Sequence, residues 1–153
     1  MISRSDPASG FTLIEMIVVI AILGVMMVLV TVSGNPISPA TKARAAAETL
    51  SGELRTARSQ AVTENRSIDV TLDLTRHVYR RGAGPAQLLP PELILGLLTS
   101  EDETVSASTG RIRFNADGSS SGGRVTIAGG NRVWWVGIDW LSGRVSLAEK
   151  PRT

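Results

Sequence analysis

From Phe11 to Val32 the chain is apolar at almost every position, so no face of a helix formed there would be polar. Of these 22 residues 18 are apolar, and only Glu15 is charged. At about 1.5 Å of rise per residue the run spans roughly 33 Å, the thickness of a bilayer core. A helix buried in an ordinary core would show an amphipathic stripe instead. A secretory signal peptide would have a shorter apolar run followed by a small-residue cleavage site. Here the small residues Ala8-Ser9-Gly10 precede the run, and a cut there would leave the apolar helix on the mature protein. The pattern predicts a membrane-spanning helix over 11–32.

The pattern then breaks. Ser33-Gly34-Asn35-Pro36-Ile37-Ser38-Pro39 carries two prolines, each lacking a backbone donor and disfavouring helix in the residue before it. A kink or short break is expected near Pro36 and Pro39, with Ser38 and Pro39 as the cap and first residue of a new helix. From Ala40 to about Glu64, Ala43, Ala47, Leu50, Leu54, Ala57 and Ala61 recur at spacings of three and four. That spacing gives one narrow apolar face, with small residues that allow a sheet to approach closely.

After Arg66 the period becomes two. Ile68, Val70, Leu72 and Leu74 alternate with polar residues, a half-buried strand. Strands are predicted at 77–81, 93–98, 104–107, 111–115, 124–128, 132–140 and 144–148, with 82–91 a Gly/Pro-rich loop. Gly129-Gly130-Asn131 and Leu141-Ser142-Gly143 supply hairpin turns. The expected class is α+β: helices packed on one antiparallel sheet or on two.

Composition narrows the chemistry. The chain has no Cys and one His, which excludes disulfides, thiol catalysis and multi-histidine metal sites. No nucleophile–base or cofactor constellation is visible, His77 included, so neither an enzyme nor a cofactor is expected. Glu101-Asp102-Glu103 reads as a solvated loop, since contiguous acids point in different directions. The net charge is only +2 despite a pI near 9.7. Without residues 1–10 and Glu15 the balance is +3, from 15 basic and 12 acidic residues. Arg111, Arg113, Arg124, Arg132 and Arg144 would form a stripe if their strands were neighbours, the one feature favouring a nucleic-acid partner. A solvated face with paired acids is the preferred reading.

The loop at Asp117, Gly118, Ser119 and Ser120 lies between two strand patterns and lacks the Gly-Lys-Ser/Thr ending of a phosphate cradle. It reads as a flexible or partner-contacting hairpin loop. Trp134, Trp135 and Trp140 fall within one predicted strand. Alternation puts Trp134 and Trp135 on opposite faces, which makes Trp135 a further candidate partner contact.

An ionisable residue inside an apolar span marks a functional site and calls for a partner. A cut between Gly10 and Phe11 would supply one, a new α-amino group four residues from Glu15. Gly10-Phe11-Thr12-Leu13-Ile14-Glu15 resembles the class III signal of type IV pilins and type II secretion pseudopilins. In that family a prepilin peptidase cuts after the Gly and methylates the new N-terminal residue. The resemblance implies that Met1–Gly10 is a leader, that Phe11 is the mature N-terminus, and that Glu15 docks subunits into a filament.

Two later stretches carry a narrower resemblance. Phe114-Asn115-Ala116-Asp117-Gly118-Ser119-Ser120-Ser121-Gly122-Gly123 and Ser142-Gly143-Arg144-Val145 are similar to the closing motifs of the H-type minor pseudopilins, the GspH family, which often has Pro where Ala116 stands. The resemblance implies a leader (1–10), a transmembrane and filament-core helix (11–32), a kinked spine (33–65) and a β-sheet domain (66–153). It also implies a single pass through the inner membrane, a periplasmic C-terminal domain, and assembly with minor and major pseudopilins near the pseudopilus tip. The filament would then support export of folded proteins across the outer membrane. Related FimT-type minor pilins of DNA-uptake machines share the signal and fold, and stand as the alternative.

Overall fold

The computed structural model describes residues 11–32, 38–99, 104–106 and 108–151. Two compact units divide between Pro36 and Ile37. The first contributes helix α1 (Leu13–Val32). The second begins with helix α2 (Pro39–Thr63) and continues as strands. The break expected between the helices falls on residues 33–37, outside the described residues.

Both ends of α2 are set by local chemistry. Pro39 opens the helix, and Ser38 caps it by accepting from the Thr41 backbone N–H at 3.2 Å. At the other end Asn65 adopts a left-handed φ of 50°. The Arg66 N–H reaches the Ala61 carbonyl at 3.2 Å and the Asn65 N–H reaches that of Val62 at 3.3 Å. That pair of bonds is a Schellman closure, which satisfies carbonyls the helix end would leave open.

Among the described residues nine strands follow: β1 (Ile68–Asp73), β2 (Val78–Arg81), β3 (Gln87–Leu88), β4 (Ile94–Leu98), β5 (Thr104–Ser106), β6 (Thr109–Phe114), β7 (Gly123–Gly129), β8 (Arg132–Ile138) and β9 (Val145–Pro151). They form two antiparallel sheets, ordered β3-β2-β1-β6-β5 and β4-β7-β8-β9. The strand β3 lies inside the stretch expected to be loop, and pairs Val78 with Leu88 at a sheet edge. The strand β8 stops at Ile138, two residues short of the expected end, because Asp139 begins a turn.

The spine stripe is the centre of the core. Ala43, Ala47, Leu50, Leu54, Ala57 and Ala61 are fully inaccessible and share one cluster with residues of both sheets, among them Val70, Phe114, Ile127 and Val136. Burying each large aliphatic side chain contributes about 1.5–3 kcal/mol. The alanines let the helix settle low: a Cβ on Gly129 of β7 would collide with the Pro39 carbonyl and the Ala43 side chain. The β7–β8 hairpin therefore lies under the start of α2. The Asp117–Gly123 loop lies near its end, where Arg58 and Val62 flank Gly118.

Candidate functional site

The N-terminal motif is first of all a helix start. Thr12 precedes α1, and its hydroxyl oxygen accepts from the Glu15 backbone N–H at 3.4 Å, while its carbonyl accepts from Met16 at 3.3 Å. Thr-x-x-Glu is the spacing of a capping box, and a carboxylate in the first turn suits the positive end of the helix dipole. Sequence reasoning missed this role of Thr12, although the spacing signals it. Gly10 lies outside the described residues. Phe11 is 78% exposed, and the Glu15 carboxylate is exposed and meets no cation among the described residues. Every described side chain of α1 is exposed, on all faces. No helix among the described residues is long and apolar enough to cross a membrane; the described side chains of α1 end at Val28.

In the sheet domain, the loop after β6 and the turn after β8 are built alike and tied together. Asp117 accepts from the Ser119 N–H at 2.9 Å and its hydroxyl at 2.6 Å. Asp139 accepts from the Ser142 N–H at 2.8 Å and its hydroxyl at 2.7 Å. The serine donors hold both carboxyls below their ordinary value, the side-chain bond acting most strongly. Ser120 joins the loops, its N–H donating to the Trp140 carbonyl at 2.9 Å and its hydroxyl to that of Asp139 at 3.0 Å. Arg58 of α2 donates to the Gly118 carbonyl at 3.1 Å. Gly118 and Gly143 have φ of 84° and 61°, and a Cβ on Gly143 would overlap the Gly118 carbonyl. The stretch expected to be a flexible or partner-contacting hairpin loop is a laced corner. Gly118 and Ser120 are buried, Ser119 is half-buried, and only Asp117 of the four is exposed.

The tryptophans separate. Trp134 is buried in the core, Trp135 is half-buried on the opposite face of β8, and Trp140 is 66% exposed in the turn. The arginine stripe does not form. Arg111 and Arg113 belong to the five-stranded sheet, whereas Arg124 and Arg132 belong to the other, and Arg144 precedes β9. Arg113 and Arg111 both pair with Asp69, at 3.0 and 3.6 Å, and Arg132 pairs with Glu149. A cleft of about 330 Å³ beside α2 is lined in part by Glu53, Gln60, Tyr79 and Arg81. Its charges pair internally: Arg81 lies 3.5 Å from Glu53 and donates to Gln60 at 3.2 Å. Burial pushes the Tyr79 phenol up. Among the described residues no cluster suited to a metal ion occurs; Glu101-Asp102-Glu103 lies outside them.

Comparison with known proteins bears on both units. The family model for the type II transport protein GspH matches residues 46–142, and that for the prokaryotic N-terminal methylation motif matches residues 7–31. The type II secretion system protein H of Xanthomonas campestris pv. campestris is 26% identical over 136 residues, 89% of this chain and 80% of that protein. Among solved structures, the minor pseudopilin EpsH of the Vibrio cholerae type II secretion system superposes with a TM-score of 0.59 at 15% identity, covering 74% of this chain and 97% of that one. The type IV minor pilin FimU of Pseudomonas aeruginosa gives 0.56 at 19% identity, covering 74% and 92%. At these identities the two superpositions speak for the fold.

Proposed function

This chain belongs to the GspH family of type II transport proteins, and we propose that it is placed near the tip of the periplasmic pseudopilus, where it supports export of folded proteins across the outer membrane. It is a minor pseudopilin, a structural subunit of type II secretion and not an enzyme. The observation that carries the reading is the joining, in one chain, of a methylation-motif segment with a carboxylate in its apolar helix and a GspH-type sheet domain.

The mechanism follows from the helix. Before assembly α1 is stored in the inner membrane as a single pass, and the sheet domain stands in the periplasm. Prepilin peptidase cuts between Gly10 and Phe11 and methylates the new amine. A charged carboxylate costs about 2.5–3.5 kcal/mol at mid-membrane depth and less near a helix end, where Glu15 stands. When α1 enters a bundle of like helices, the Phe11 amine of a neighbouring subunit pairs with Glu15 and offsets that cost. Contacts through the sheet domain, with Asp117, Ser119 and Trp135 as candidates, set which pseudopilins stand beside it.

Glu15→Ala separates processing from assembly. Mass spectrometry of the variant is expected to find Phe11 at the mature N-terminus, while recovery in sheared filaments falls about tenfold, the loss of roughly 1.4 kcal/mol of docking. Wild-type recovery would refute the docking role. An intact Met1 leader in cells with active peptidase would refute the processing.

A further inference from the structure

On the outer face of the four-stranded sheet, opposite the core, two cations surround one of the candidate contacts, Trp135. Trp135 stands at its middle, level with Thr126 of β7 and Ala148 of β9. The Arg124 guanidinium carbon lies 4.7 Å from the indole centroid, and the Lys150 ammonium 5.3 Å from it. In the register Arg124 is level with Gly137 and Lys150 with Val133, so the two cations flank the ring from opposite directions along β8.

Among the described residues these cations have no counter-charge on their own face. The four strands contain a single carboxylate, Glu149, which points to the other face and pairs with Arg132. Asp139, just past the end of β8, is engaged by Ser142. Neither Arg124 nor Lys150 forms an ion pair among the described residues. Gly96 and Gly137 leave the surface beside Thr126 and Arg124 low, and Ile94 and Leu98 on β4 are exposed at 55% and 67%. Long cationic side chains ordinarily lose rotamer freedom when they bind. Here the indole already positions both, and an aromatic–arginine cluster with an apolar margin is the composition of a binding hot spot.

We propose that Arg124, Trp135 and Lys150 form a preset cationic clamp that receives carboxylates from the side of a neighbouring pseudopilin, which deepens the pseudopilus reading and rests on it. Protein carboxylates are favoured over nucleic acid because the chain's own cations already lie over the ring, in the place a stacking base would take.

The chain contains only two lysines, which makes the test direct. A zero-length carbodiimide joins a lysine amine to a carboxylate in contact with it. In filaments assembled by the wild-type full chain, Lys150 is expected to couple to an Asp or Glu of another pseudopilin, identified by peptide mapping. Lys42, paired with Glu92 within the chain, is the internal control. Lys150→Arg keeps the charge but removes the reactive amine, and should abolish the cross-link. The double reversal R124E/K150E should lower that recovery about tenfold while its thermal unfolding stays that of wild type. Filaments that contain the chain with Lys150 uncoupled, or coupled only within the chain, overturn the clamp and leave the pseudopilus reading standing. Absence of the wild-type chain from filaments overturns both. Salt-sensitive binding of an oligothymidylate to the full chain, lost in R124E/K150E, would overturn the choice of a protein partner.

Discussion

Helices α1 and α2 solve the same problem with opposite partners. The second carries a narrow apolar stripe, and the chain's own sheets cover it completely. The first is apolar all round, and every described side chain on it is exposed, its large apolar residues ranging from Leu13 at 79% to Val19 at 42%. A helix with one apolar face is finished by folding; a helix with no polar face is finished by a bilayer or by other helices. Stability and assembly are therefore written on different segments, and substitutions in the two helices should separate accordingly.

The largest effect is expected in the spine. Leu54→Ala removes a fully buried side chain and should cost the sheet domain about 2–5 kcal/mol. The matched change Ile20→Ala in α1 should leave the domain's unfolding where it was. Thermal circular dichroism of the full chain in detergent checks both, and equal losses would break the distinction. Glycines provide a sharper pair. Gly143→Ala forces a Cβ into a left-handed position against the Gly118 carbonyl, which should cost about 1–3 kcal/mol. Gly24 of α1 has nothing within 4 Å of where its Cβ would stand. Gly24→Ala should spare the domain and strengthen α1 by about 0.8–1 kcal/mol of helix propensity. The caps come next. Ser38→Ala should cost about 1 kcal/mol in domain unfolding. Thr12→Ala, at the other N-cap, should leave that midpoint unchanged and act on the helicity of the first turn of α1.

What the sequence disclosed follows from the range of the interactions. The stripe of α2, its Ser38-Pro39 start and the alternation of β1 are local patterns, and all were legible. Ser51 was not, because a polar residue reads as exposed. Its hydroxyl donates to the Ala47 carbonyl at 2.7 Å, which lets it sit buried beside the stripe. The extension of β8 to Trp140 failed because alternation continues through a residue, Asp139, whose side chain starts a turn. Two sheets stood among the alternatives, but which strands join which was out of reach for a different reason. The strand β4 pairs with β7 across the intervening β5 and β6, a choice made by packing over a distance no local period encodes. The arginine stripe failed with it, since it assumed that neighbours in sequence are neighbours in the sheet. At the site, the Gly-Phe-Thr-Leu-Ile-Glu motif was legible as a motif, while its physical content, the cap by Thr12, appeared only with the helix.

The corner that ties Asp117 to Asp139 gives the smallest expected effect and the one most specific to the sheet domain. Serine donors lower both carboxyls in the folded chain relative to an unfolded value near 3.9. A depressed folded value means that the ionised form is the one folding favours. The stabilisation is therefore fully present above the unfolded value and is lost as pH falls through the folded one. At neutral pH, Asp117→Asn and Asp139→Asn should each lower the unfolding midpoint slightly, since an amide oxygen is a weaker acceptor for the same serine donors. Below pH 4 the wild-type chain should converge on the variants, because its own carboxyls then protonate. Unfolding midpoints measured from pH 7 to pH 2 check this, and a gap between wild type and the double variant that persists undiminished at pH 2 would refute the account of the corner.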